Sequence, residues 1–75
     1  MATIEGTHQH AMTGRRYRFK AVYRTTDTEL HWTAEWFSED GALRRARDGV
    51  IHDVVFITFP YRAVIEQVVE AIDAS

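Results

Sequence analysis

Arg16, Arg18, Lys20 and Arg24 recur at even spacing. On an extended strand, side chains alternate between faces, so these four cations share one face. A column of cations on a sheet can track the phosphates of a single-stranded nucleic acid, with Phe37 or Phe56 stacking on a base. Arg44, Arg45 and Arg47 make a second basic cluster, read as the solvated face of a helix. Three observations weigh against a nucleic-acid partner. The net charge is -2, no RNA-recognition motif is present, and Glu29 and Glu35 fall where they would neutralise the arginines. Single-strand binding is therefore the alternative reading.

Catalytic chemistry has little to work with. His31 and Glu35 share a strand face four residues apart, and His52 adjoins Asp53. Either pair could act as acid and base only by meeting in a cleft. Ser38 and Ser75 are the sole serines, there is no cysteine nucleophile, and no glycine-rich phosphate loop is present. The chain is read as not an enzyme. His8 and His10 flank Gln9 and could hold a metal weakly, but their segment supplies no further ligands. No metal and no cofactor are expected.

The elements that position these residues begin with a hairpin. Tyr17, Phe19, Ala21 and Tyr23 alternate with the cations and with Val22 over a strand from Arg15 to Thr25. Leu30, Trp32, Ala34 and Trp36 alternate with Glu29, His31, Thr33, Glu35 and Phe37 over a strand from Thr28 to Phe37. A loop with an even number of residues, four around a type I turn, keeps the aromatic sets on one face. It pairs Tyr23 with Leu30, Ala21 with Trp32, Phe19 with Ala34 and Tyr17 with Trp36. On the other face it sets Arg24 against Glu29 and Arg18 against Glu35.

Ser38 is a natural N-cap, with Glu39 and Asp40 suited to a first turn, so the pattern predicts a helix over 39–48 that Gly49 ends. Asp53 to Phe59 is apolar on both faces and predicts a third strand. Pro60 fits the start of a second helix over 61–74, with Tyr61, Val64, Ile65, Val68 and Ile72 as its stripe. Residues 1–14 lack apolar periodicity and are read as a flexible N-terminal tail. The expected fold is α+β in the order β-β-α-β-α: a three-stranded, mainly antiparallel sheet with strand order 2-1-3. Both helices pack on one face, so that Leu43, Val64, Ile65, Val68 and Ile72 cover the aromatic layer.

Residues 15–75 thus form one small domain. A chain of 75 residues buries only roughly 60% of the surface it exposes when unfolded. Without a cysteine it has no disulfide, so stability rests on an aromatic core, on self-association, or on both. The N-terminus has no basic region followed by an apolar run, and no apolar stretch approaches the ~20 residues of a membrane-crossing helix. The expected location is the cytoplasm.

One sheet face remains uncovered in this scheme. It carries Arg16, Arg18, Lys20, Val22, Arg24, His31 and Phe37, to which the third strand adds Val54 and Phe56. Charged groups beside bulky apolar ones mark an interface. The sequence reads as a small cofactor-free protein–protein interaction module. An adaptor, an inhibitor or an accessory protein of a phage or mobile element fits, binding a protein partner or itself as a homodimer through these nine residues.

Overall fold

The computed structural model describes residues 2–52 and 60–75. Four strands are present, β1 (Ala2–Gln9), β2 (Arg16–Thr25), β3 (Glu29–Ser38) and β4 (Leu43–His52), followed by one helix, α1 (Pro60–Asp73). The strands form an antiparallel meander in the order β1-β2-β3-β4. This replaces the expected three-stranded sheet with two helices, and the 2-1-3 order with it. The strand expected over 53–59 lies outside the described residues.

The β2–β3 hairpin keeps the faces the alternation implied. Phe19, Ala21, Leu30, Trp32, Ala34 and Trp36 are buried, with Tyr17 and Tyr23 half-buried beside them. The loop is even, as expected, but it closes on two residues, Asp27 and Thr28, in place of the four expected, and the register differs by two residues. Tyr23 pairs with Trp32, Ala21 with Ala34 and Phe19 with Trp36, while Thr26 and Glu29 close the turn through a 2.8 Å backbone hydrogen bond. Adjacent aromatics gain from direct cross-strand pairing. The outer strands accommodate those pairs with small residues. Gly6 on β1 lies opposite Phe19, and Gly49 on β4 lies opposite Trp32. A methyl group on either glycine would come within 2.7 Å of the facing ring.

β1 overturns the expectation of a tail at residues 1–14. Ala2, Ile4, Gly6 and His8 alternate inward with Thr3, Glu5, Thr7 and Gln9 outward, and every residue from 2 to 9 pairs with β2. Ile4 is the one large apolar residue among its inward side chains, so no apolar period marks it.

β4 overturns the helix expected over 39–48. Ser38 does not cap a helix; with Asp40 and Gly41 it builds a hairpin turn. Gly41 adopts φ 85°, a left-handed conformation that favours glycine. Ser38 donates to the Asp40 carboxylate, and the Ala42 N–H donates to the same oxygen at 3.0 Å. A short helix with three apolar residues could not compete with a full β3 ladder. Gly49 serves the Trp32 ring and ends no helix. Leu43, expected to cover the core, is 57% exposed and faces away from it, opposite Phe37.

α1 matches the second helix expected. Val64, Val68, Ala71 and Ile72 are buried against the aromatic face, whereas Tyr61 is exposed. The helix packs chiefly on β1, β2 and β3. None of the described helices is long and apolar enough to cross a membrane.

Candidate functional site

The sheet face opposite α1 is the face the alternation of β2 and β3 singled out. Arg16, Arg18, Lys20 and Arg24 are exposed on β2, and Val22, His31 and Phe37 are half-buried beside them. Val54 and Phe56 lie outside the described residues. The face splits into two shallow depressions. One, of about 360 Å³, gathers Val22, Arg24 and His31 with Thr33, Asp48 and Val50. The other, of about 400 Å³, gathers Arg18, Lys20 and Phe37 with Glu5 and Thr7.

The two-residue difference in register redistributes charge. Arg18 lies opposite Phe37 and Arg24 opposite His31, so neither faces the glutamate expected for it. Lys20 instead sits between Glu5 and Glu35. The outward cations are all on β2, while the outward carboxylates Glu5, Glu29, Glu35 and Asp48 are on β1, β3 and β4. Among the described residues, the ion pairs within 4.0 Å all use histidine, so none engages these four β2 cations.

The expected acid–base pairs do not form. His31 and Glu35 are about 13 Å apart along β3, at a rise of ~3.3 Å per residue. His31 instead approaches Glu29 at 3.4 Å, and His52 approaches the other Glu29 oxygen at 3.1 Å. One carboxylate thus bridges two imidazoles at the open end of the sheet, on an exposed surface. No group of three metal-binding side chains is found among the described residues.

His8 and His10 are also drawn to separate tasks. His8 Nε2–H donates to Asp73 at 2.8 Å, joining β1 to the end of α1. The Ala11 N–H donates to the same oxygen at 3.0 Å. These two donors, the backbone amide foremost, hold the Asp73 carboxyl below the usual carboxylate range. His10 is 5% exposed and organises the β1–β2 turn. Its Nδ1 accepts from the Met12 and Thr13 amides at 3.0 and 3.2 Å, which places the ring proton on Nε2, facing the Ser75 carbonyl at 3.3 Å.

Sequence reasoning missed what β1 and β4 add to the outer face, Glu5, Thr7, Leu43, Ala46, Asp48 and Val50 among them. A signal for β4 was present. Asp40-Gly41 is a strong short-range mark of a hairpin between alternating segments. It also missed the convergence of Arg15, Arg44 and Arg45 at the end of the sheet, where they line one cleft. That convergence depends on a β-bulge between Trp36 and Phe37, which periodicity does not reveal. No family model matches the chain, and no curated protein or solved structure shows significant similarity to it.

Proposed function

We propose that the chain is a binding module that joins a second copy of itself through the outer sheet face. The observation that carries this is the segregation of charge by strand on a face α1 leaves open. Cations occupy β2 and carboxylates occupy its neighbours, with Val22, Phe37, Leu43 and Val50 between them. Two such faces, related by a two-fold axis and offset by a strand, set the β2 cations of each copy over carboxylates of the other. A two-fold interface needs this kind of self-complementary patch. Four strands about 4.8 Å apart and roughly 33 Å long offer about 600 Å² per copy. That lies at the low end for specific association, so the expected affinity is micromolar.

Sedimentation across 1–200 μM tests the proposal. The expected result is a monomer–dimer equilibrium that Lys20→Glu weakens and Lys20→Glu with Glu35→Lys restores. A monomer throughout that range overturns it.

One observation favours a second reading, single-strand nucleic-acid binding. Arg18 and Arg24 lie opposite Phe37 and His31 and so are not neutralised across the strand. That reading requires salt-dependent binding of a short oligonucleotide, lost on Arg16→Glu with Arg18→Glu. No gel shift at low salt removes it.

A further inference from the structure

At the end of the sheet away from the β2–β3 turn, Arg15, Arg44 and Arg45 line a cleft of about 290 Å³ with Thr13, Tyr17 and Trp36. We infer that this cleft is a binding site for a phosphomonoester, distinct from the outer sheet face. Three arginines line a single cleft with no acidic side chain in its lining; Arg15 and Arg44 also border the adjoining depression that holds Glu39 and Asp40, where the Arg44 charge reaches Asp40 without an ion pair. Among the described residues no carboxylate lies within 4.0 Å of any of them. Like charges placed together repel, and an anion seated between them removes the repulsion. Arginine suits phosphate because its planar fork donates two parallel hydrogen bonds to a pair of oxygens.

The backbone is bent to assemble this set. Regular alternation would send Arg44 and Arg45 to opposite faces of β4. The bulge makes Arg45 the partner of Trp36 and Leu43 the partner of Phe37, leaving Arg44 as the extra residue, and both arginines border the cleft. α1 packs chiefly on the other strands, so it leaves this end of β4 accessible.

Neutral groups complete the site. Trp36, 1% exposed, forms an apolar floor that strengthens charge interactions above it. The Thr13 oxygen accepts from the Arg15 amide at 3.3 Å, which leaves its hydroxyl proton for a ligand oxygen. Tyr17 also lines the cleft. Both His10 nitrogens are engaged, with the Met12 and Thr13 amides and with the Ser75 carbonyl. No cysteine is available, and Ser75 Oγ donates to the Ile72 carbonyl at 2.6 Å. The cleft therefore offers anion recognition by arginine and neutral hydroxyl groups.

Amide and indole NMR shifts of the full chain, titrated at constant ionic strength, test the inference. The probes are inorganic phosphate, phenyl phosphate, and a short single-stranded oligonucleotide with and without a 5′-phosphate. The expected result is saturable shifts at Arg15, Arg44, Arg45 and the Trp36 indole with both small phosphates, and with the oligonucleotide only when it carries the terminal phosphate. Arg45→Gln should weaken phosphate binding about tenfold or more, while Arg47→Gln, outside the cleft, leaves it unchanged. Both positions are exposed, so both variants should retain the fold, and the unperturbed remainder of each spectrum verifies it. Shifts that never saturate, equal losses in the two variants, or tight binding of the unphosphorylated strand alone would each overturn the assignment.

Discussion

β1 and β4 are both edge strands, and each places a glycine opposite a buried ring of the central hairpin. Their remaining inner positions diverge. β1 turns Ala2, Ile4 and His8 inward, and α1 reaches it through the His8–Asp73 hydrogen bond. β4 turns Arg45 and Arg47 toward the same side, and both are exposed. A single 14-residue helix, about 21 Å long, covers part of a four-stranded sheet. It sits over β1, β2 and β3, and β4 becomes the strand that can afford charge on its inner side. Inward charge also blunts an open edge against pairing with other chains. The difference teaches that coverage by the helix, more than place in the sheet, decides which residues an edge can carry.

The largest expected effect tests whether the two edges depend on different rings. Trp32→Ala and Trp36→Ala should each cost about 3–5 kcal/mol, since both rings are nearly fully buried. Trp32 faces Gly49 on β4, whereas Trp36 faces Phe19 and, beyond it, Gly6 on β1. Amide exchange in milder variants, Trp32→Phe and Trp36→Phe, should therefore accelerate first in β4 for the former and in β1 for the latter. Equal acceleration of both edges would show that the sheet opens as one unit. In that case the contrast between the edges would not extend to dynamics.

A smaller effect probes the glycines directly. Gly6→Ala and Gly49→Ala each place a methyl group 2.7 Å from a facing ring, and overpacking of this kind costs typically about 1–3 kcal/mol. The two should differ in rescue. Trp32→Leu should remove most of the penalty of Gly49→Ala and none of that of Gly6→Ala, as read from denaturant midpoints in a double-mutant cycle. Additive costs for Gly49→Ala and Trp32→Leu would mean that the glycine serves the backbone of β4 and leaves the indole untouched.

The same contrast explains what was legible in the sequence. The hairpin could be read because all eight of its inner positions hold Leu, Trp, Tyr, Phe or a central Ala, and α1 because Val64, Val68 and Ile72 repeat at helical spacing. Both elements bury a face of their own. The edge strands borrow most of their core from the hairpin, so each contributes a single isoleucine, Ile4 or Ile51, among glycine, alanine, histidine and arginine, and the apolar period is too thin to read. For β4 the misreading had a local cause as well. Ser38, Glu39 and Asp40 suit a helix N-terminus as well as a turn, and only tertiary pairing chooses between them. The outer-face residues of β2 and β3 were therefore found, since they alternate with a visible core. The arginine cleft was hidden, because a bulge and two distant segments assemble it.

The smallest expected effect separates the edges by acid. Asp73 and Asp40 both titrate below the usual carboxylate range, but for different reasons. Asp73 accepts from the Ala11 amide and from His8, groups more than sixty residues away in sequence. Asp40 accepts from Ser38 and Ala42 within its own turn. A carboxyl whose folded pKa lies below its unfolded one adds stability that is present above the unfolded value, near 3.8, and lost as pH falls through the folded value. Acidification below that point should thus loosen both turns. Only protonation of Asp73 also detaches β1 from α1. Asp73→Asn should abolish most of the acid-induced rise in amide exchange at Thr3, Glu5 and Thr7, having already raised their exchange at neutral pH. Asp40→Asn should change exchange only near the β3–β4 turn. If Asp40→Asn instead loosened β1, the two edges would be coupled through the sheet, and helix coverage would no longer account for their difference.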